Sequence, residues 1–170
     1  MSRIQVKIAE GKTITLSPGG QNELVSQVIQ KFAPQFMPGG RIISVKDTNE
    51  KLAYFDEEEI KEIGVAITLE AGMIDPHGKI PGVIIHHTEK DWLILIEVAT
   101  SHGPINAKRK GELEELFKDS RAGLVFVTAF QTRRAMAKYL DQISWGTDVW
   151  IADSPKHMIH FKGDKIFGPY

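Results

Sequence analysis

Residues 93–110 read LILIEVATSHGPINAKRK, and the reading of this stretch decides the fold. Trp92 to Val98 is an apolar run too short for a helix of that composition and is predicted as a strand. Its side chains alternate between two faces, both apolar along most of the strand, so it belongs in the centre of a sheet. Glu97 is the exception. It shares a face with Leu93 and Leu95, and burying a carboxylate without compensation costs several kcal/mol. It must therefore be paired, protonated, solvated at the strand end or bound to a cation.

The β-branched run from Val83 to His86 precedes this strand, and Thr88-Glu89-Lys90-Asp91 between them reads as the turn of a hairpin. That turn sets a register in which His87 faces Trp92, His86 faces Leu93 and Gly82 falls opposite Glu97. Position 82 is the natural place for a second metal ligand, yet it holds glycine, preceded by Pro81. After Glu97 the chain turns through Ser101-His102-Gly103-Pro104 into a helix predicted over Asn106 to Lys118. With Leu113 inward, Arg109 lies one turn earlier on the same side, Lys110 flanks it and Lys108 points away. An inward arginine at a positive helix start, close to a strand-end carboxylate, suits a phosphate. A plain Glu97–Arg109 ion pair, with Ser101 or Asn106 capping the helix, explains the same spacing equally well.

Outward from this segment, IQVKI (4–8) and TITL (13–16) form an N-terminal hairpin broken by Ser17-Pro18-Gly19-Gly20. Leu24, Val25, Val28, Ile29 and Phe32 predict an amphipathic helix over Asn22 to Phe32, stopped by Pro34. A strand at Arg41 to Val45 and a short acidic helix at Asp56 to Ile63 follow. The second half adds a strand at Leu124 to Thr128, a helix at Arg133 to Ile143, and strands at Val149 to Ala152 and Met158 to Phe161. Strands and helices intermix, which gives an α/β class with a central mixed β-sheet flanked by helices, in one domain. Residues 1–20 are expected to form the hairpin and residues 21–170 the α/β core.

The 170 residues, 42% apolar and 25% charged, exclude a disordered or collagen-like chain. Cysteine is absent, which removes disulfides and thiol nucleophiles and suits a reducing cytoplasm. No run approaches a membrane span and the start lacks a signal-peptide core, so an intracellular protein is expected. A net charge of −1 argues against a generally basic nucleic-acid coat but permits a local basic face. Lys108-Arg109-Lys110 and Arg133-Arg134 are compact basic clusters, although solvated helix faces are the default for such runs.

Several blocks go beyond pattern: DWLILIEVATSHGPI (91–105), Lys79-Ile80-Pro81, Arg109 with Glu112-Leu113, GLVFVTAF (123–130), VWIAD (149–153) and the ending HMIHFKGDKIFGPY. SPGGQNEL (17–24) and KDTNEK (46–51) look like two more. Together they resemble, over most of the chain, the C-terminal catalytic region of BsuBI/PstI-type type II restriction endonucleases, within the PD-(D/E)XK nuclease superfamily. The resemblance implies a restriction-endonuclease-like core and Mg²⁺-dependent hydrolysis of duplex DNA. In that superfamily an Asp after Pro and a Glu on the next strand hold the metal, and a nearby lysine steadies the charge. Glu97 fits the strand glutamate, and the Val98 carbonyl is a further candidate ligand. Homodimerisation is expected of a cutter of palindromic sites.

Three positions depart from the family pattern. The superfamily lysine falls at Ala99, leaving Arg109 or Lys110 to supply the cation, and Arg109 is favoured because its planar fork suits a phosphate. Lys46 stands where the pattern leads one to expect glycine. Gly82 replaces the motif aspartate and removes an anionic ligand, so the chain is expected to be impaired or inactive, with a catalytically silent DNA-binding or interaction module as the alternative. Gly82 is open to three readings: a natural loss, a substitution introduced or selected against toxicity, or transfer of the carboxylate's role to Asp75 or Glu70. The second ranks first, and Asp75 is the better surrogate because Asp75-Pro76-His77-Gly78 reads as a turn leading into the strand.

The expected DNA contacts are Ser101, His102, Lys108, Arg109, Arg133 and Arg134. Ser101-His102 is read as phosphate-contacting or capping, because adjacent residues seldom align as nucleophile and base and no third acid is evident. His157 and His160 face opposite ways in a strand and are read as structural, as is His86 at its strand end. Trp92, Trp145 and Trp150 are read as packing residues.

Overall fold

The computed structural model describes residues 2–48, 51–67 and 80–169. The chain begins with an antiparallel hairpin of β1 (Ile4–Ala9) and β2 (Lys12–Leu16). Gly11, at φ 72°, supplies the left-handed residue its turn requires. Helix α1 (Gly20–Gln27), a π-helical turn (Val28–Phe32) and α2 (Ala33–Phe36) follow without interruption. Then come β3 (Arg41–Lys46), β4 (Leu52–Phe55), α3 (Glu57–Glu62), β5 (Val83–His87), β6 (Trp92–Val98), α4 (Ala107–Leu116) and β7 (Gly123–Phe130). The chain closes with α5 (Arg133–Ala137), a 3₁₀ turn (Leu140–Gln142), β8 (Thr147–Ile151) and β9 (Met158–Phe161). Among the described residues no helix is long and apolar enough to cross a membrane.

The larger sheet has the strand order β4-β3-β5-β6-β7-β8-β9. Pairing is antiparallel except for β6–β7 and β7–β8, which are parallel. Parallel neighbours need a crossover, and α4 and α5 with its 3₁₀ turn supply the two required. Strand β6 is central, as its two apolar faces demand. Ile94, Ile96 and Val98 pack with α1 and the π-helical turn through Leu24, Val25, Val28 and Phe32. Leu93 and Leu95 pack on the other face with Leu113 and Phe117 of the α4 region and with Ile60 of α3. Each such side chain, removed fully from water, contributes about 1.5–3 kcal/mol.

The predicted hairpin register is observed: His87 pairs with Trp92, His86 with Leu93, and Val83 with Ile96. Asp91, at φ 55°, completes the turn. Four other expectations are corrected. Pro34 does not stop the first helix. The i→i+5 spacing of the π-helical turn comes just before it, Pro34 falls in the first turn of α2, where no N–H is needed, and the helix runs on to Phe36. The helix predicted over Arg133 to Ile143 ends at Ala137 and resumes only as a 3₁₀ turn. Strand β4 was not anticipated. Trp150 is fully buried and meets Phe32 edge-on at 5.8 Å, but Trp145 is 72% exposed and is no core residue.

His86 is also more than a strand-end side chain. It is buried, and its Nδ1 lies 2.8 Å from Oε1 of the buried Glu59, whose Oε2 accepts a 2.9 Å hydrogen bond from Arg41. This network ties α3 to β3 and β5. Removing one partner of a buried pair strands the other, so Glu59→Ala is expected to lower unfolding stability by about 3 kcal/mol. Glu10→Ala, which removes the exposed partner of Lys7, should change stability by less than about 0.5 kcal/mol. Urea denaturation of the two variants measures both.

Candidate active site

Strands β6, β7 and β8 run parallel, so their carboxyl ends reach the same edge of the sheet, where open α/β sheets commonly place ligands. At the β6 end an open cleft of about 330 Å³ is lined by Gly82, Glu97, Val98, His102 and Arg109. These five positions, singled out in the sequence, come together. Arg109 reaches Glu97 from α4: its Nη2 donates to Oε1 at 2.6 Å and its Nε to the same oxygen at 3.1 Å. The two side chains are 18% and 23% exposed, so the pair is half-buried and open to the cleft. Asn106, not Ser101, caps the helix that carries Arg109, accepting a 2.8 Å hydrogen bond from the Arg109 amide.

Gly82 directly precedes the Val83–Ile96 pair that ends the β5–β6 ladder, and it lines the cleft together with Glu97. Its carbonyl accepts a 2.9 Å bond from the Lys46 amide, which fixes it against β3. Nothing in its surroundings requires glycine. It is not among the positive-φ residues, and a Cβ built there would meet the Ile96 carbonyl oxygen at 3.4 Å and Val98 Cγ2 at 3.6 Å, ordinary contacts.

Other expected site residues lie elsewhere. Lys110 turns from the cleft, with Nζ 5.1 Å from the centre of the Phe126 ring and 3.5 Å from Glu114. Ser101 and Lys108 are exposed and do not line the cleft, and Arg133 and Arg134 belong to α5. His157 and His160 do not converge: Nδ1 of His160 bonds Asp148 at 2.6 Å. Asp75 and Glu70 lie outside the described residues.

The cleft also holds Gln21, Lys46, Asp47, Thr48 and Glu112, which the sequence showed in blocks resembling the family but did not assign to the site. Lys46 extends its ammonium to the Ile80 carbonyl at 3.0 Å, so side chain and amide together brace the segment leading to Gly82. Asp47 accepts from the Ser17 amide and hydroxyl at 2.9 and 3.0 Å and from Asn22 Nδ2 at 2.8 Å. The Thr48 amide adds a 2.6 Å bond. Burial works against ionising Asp47, but these donors outweigh it and hold the carboxyl below its ordinary 3.8. The blocks SPGGQNEL and KDTNEK thus meet at one carboxylate. Their recurrence as blocks was the available signal for this contact.

Among the described residues no group of three or more His, Cys, Asp or Glu side chains could hold a metal ion. A magnesium ion is usually held by one or two carboxylates together with substrate phosphates and water. With glycine at 82, Glu97 is the carboxylate at the strand end, and it is already engaged by Arg109. The donor set is incomplete.

The fold is that of a restriction endonuclease domain. The solved SdaI restriction endonuclease superposes with a TM-score of 0.86 at 37% identity, covering 99% of this chain and 51% of that one. The chain belongs to the BsuBI/PstI restriction endonuclease domain family, whose model matches residues 4–164. It is 52% identical over 169 residues to the type II restriction enzyme BsuBI of Bacillus subtilis, covering 99% of this chain and 51% of that protein. The type II restriction enzyme AplI of Arthrospira platensis is 30% identical over 167 residues, 96% of this chain and 50% of its own length. The chain therefore spans about half the length of the relatives it matches.

Because the folded pKa of Asp47 is lowered, its stabilising effect is complete above 3.8 and is lost as pH falls through the lower folded value. Asp47→Asn is expected to be less stable than the parent at neutral pH, with the gap closing as pH drops below 3.8. Urea midpoints measured as a function of pH test this.

Proposed function

We propose that the cleft at the β6 edge is the nucleolytic centre of a type II restriction endonuclease domain that acts on duplex DNA with Mg²⁺, and that Gly82 leaves this chain's hydrolysis severely impaired. The observation that carries this reading is that Gly82 and Glu97 line one open cleft just beyond the Val83–Ile96 pair, with Arg109 reaching the Glu97 carboxylate inside it. Glu97 and the Val98 carbonyl are the groups that would hold the metal. A divalent ion held there would supply polarisation of the scissile phosphate and a lowered pKa for an attacking water. Arg109 fixes the orientation of Glu97 and brings to the cleft a guanidinium, a planar group whose geometry suits a phosphate oxygen. His102 and Lys46 add donors at the cleft wall. Homodimeric pairing on a palindromic site and action in a reducing cytoplasm belong to the same reading.

The second reading, a catalytically silent DNA-binding member of the family, is favoured by one observation: Lys46 and Arg109 line the cleft, while among the described residues no group of three or more His, Cys, Asp or Glu could hold a metal ion. Restoring the acid separates the two. Gly82→Asp places an anionic ligand where a Cβ meets only ordinary contacts, and since even outer partners of a metal are worth about 10–100-fold, it is expected to raise Mg²⁺-dependent plasmid nicking by more than about 100-fold. Glu97→Ala in that background should abolish the gain. If Gly82→Asp binds duplex DNA yet neither binds metal nor nicks, the silent reading holds.

A further inference from the structure

We propose that a second cavity at the same sheet edge, formed by Arg133, Ser154 and His157, is a binding site for a backbone phosphate of the nucleic acid that enters the Glu97 cleft. The inference rests on the reading of the cleft as a DNA site. This cavity, of about 330 Å³, has Ile151 and Ile159 as its apolar walls. Its polar lining residues are Arg133, His157 and Ser154, whose side chains can all donate hydrogen bonds, and no Asp or Glu is among the lining residues. That chemistry takes an anion. Planar, forked donation by arginine beside a hydroxyl is the usual dress of a phosphate oxygen.

Its position follows from the register. Glu97 lies beside Thr128 on β7, and Thr128 beside Val149 on β8. Neighbouring strands are about 4.8 Å apart, so the end of β8 is offset from Glu97 by about 10 Å along the edge. Side chains in register across a sheet share a face, and Ile151, two residues beyond Val149, returns to that of Glu97. A DNA strand carries one phosphate per about 3.4 Å of helix axis, so this offset corresponds to about three phosphates.

The loops that present the three side chains are tied to the sheet. Arg133 follows β7 through Gln131, whose side chain donates to Asp153 at 3.1 Å and whose carbonyl accepts from the Asp153 amide at 3.1 Å. The Ser154 amide donates to the Ile151 carbonyl at 3.0 Å, and the His157 amide to the Ser154 carbonyl at 3.1 Å. The β7 and β8 ends are thereby coupled, and the backbone that carries Ser154 and His157 is held in hydrogen-bonded turns.

Arg133 and His157 are exposed, so their replacement leaves the core intact. Two measurements on the whole chain test the site. In a titration with inorganic phosphate followed by NMR, the His157 ring and Ser154 amide resonances are expected to shift, to stop shifting in Arg133→Ala, and to shift as before in Arg134→Ala, whose side chain does not line the cavity. No shift, or equal shifts in all three proteins, overturns the proposal. In duplex DNA binding followed by anisotropy without divalent ions, Arg133→Ala/His157→Ala should bind about 10-fold more weakly, with the slope of log K against log salt reduced by about 1. An unchanged affinity and slope overturns it as well. If the parent chain binds no duplex, the nuclease reading of the Glu97 cleft fails, and the phosphate titration alone decides the cavity.

Discussion

The ion pair between Glu97 and Arg109 is the constraint from which the rest of the site follows. A carboxylate at the end of a strand that is apolar on both faces must be compensated, and a half-buried guanidinium 2.6 Å away does so without closing the cleft. For that contact to form, the chain must leave β6, turn back within a few residues and start α4 at Asn106, where the Asn106 side chain caps the amide of Arg109 itself. Backbone and side chain of one residue are thus fixed by two neighbours. Orientation of this kind is what a phosphoryl-transfer site needs, since positioned charge contributes most of the catalytic effect.

The same edge concentrates other groups because the parallel strands end there together. Asp47 gathers donors from the loop before α1, from α1 and from its own turn, and Lys46 braces the approach to Gly82 from the opposite side. Position 82 is consequently held in place whatever side chain it bears. A charged side chain introduced there would stand on a scaffold already built. A 3.4 Å contact and a backbone outside the left-handed region leave room for a Cβ at that position.

What the sequence made legible was governed by local rules. The β5–β6 register followed from an apolar run on both sides of a four-residue turn, and the inward direction of Arg109 followed from helical spacing to Leu113. Contacts between distant segments were not legible. Asp47 meets Ser17 thirty positions away, and Glu59 meets His86 across twenty-seven. No periodicity links such pairs, since each depends on how β3 docks on its neighbours. Pro34 misled for a related reason: its usual helix-stopping effect assumes i→i+4 geometry, and the π-helical turn before it removes the clash. Lys110 shows the limit of helical-wheel reasoning, because a residue one step from Arg109 found the Phe126 ring instead of the cleft.

The account stands on Glu97 being placed for a divalent ion that a second carboxylate at position 82 would complete. The most direct measurement is anomalous diffraction from crystals of Gly82→Asp soaked in Mn²⁺. A peak within bonding distance of Glu97, the Val98 carbonyl and the new aspartate is the predicted result. A metal bound elsewhere, or a Glu97 that keeps Arg109 as its sole partner with no peak beside it, would contradict it.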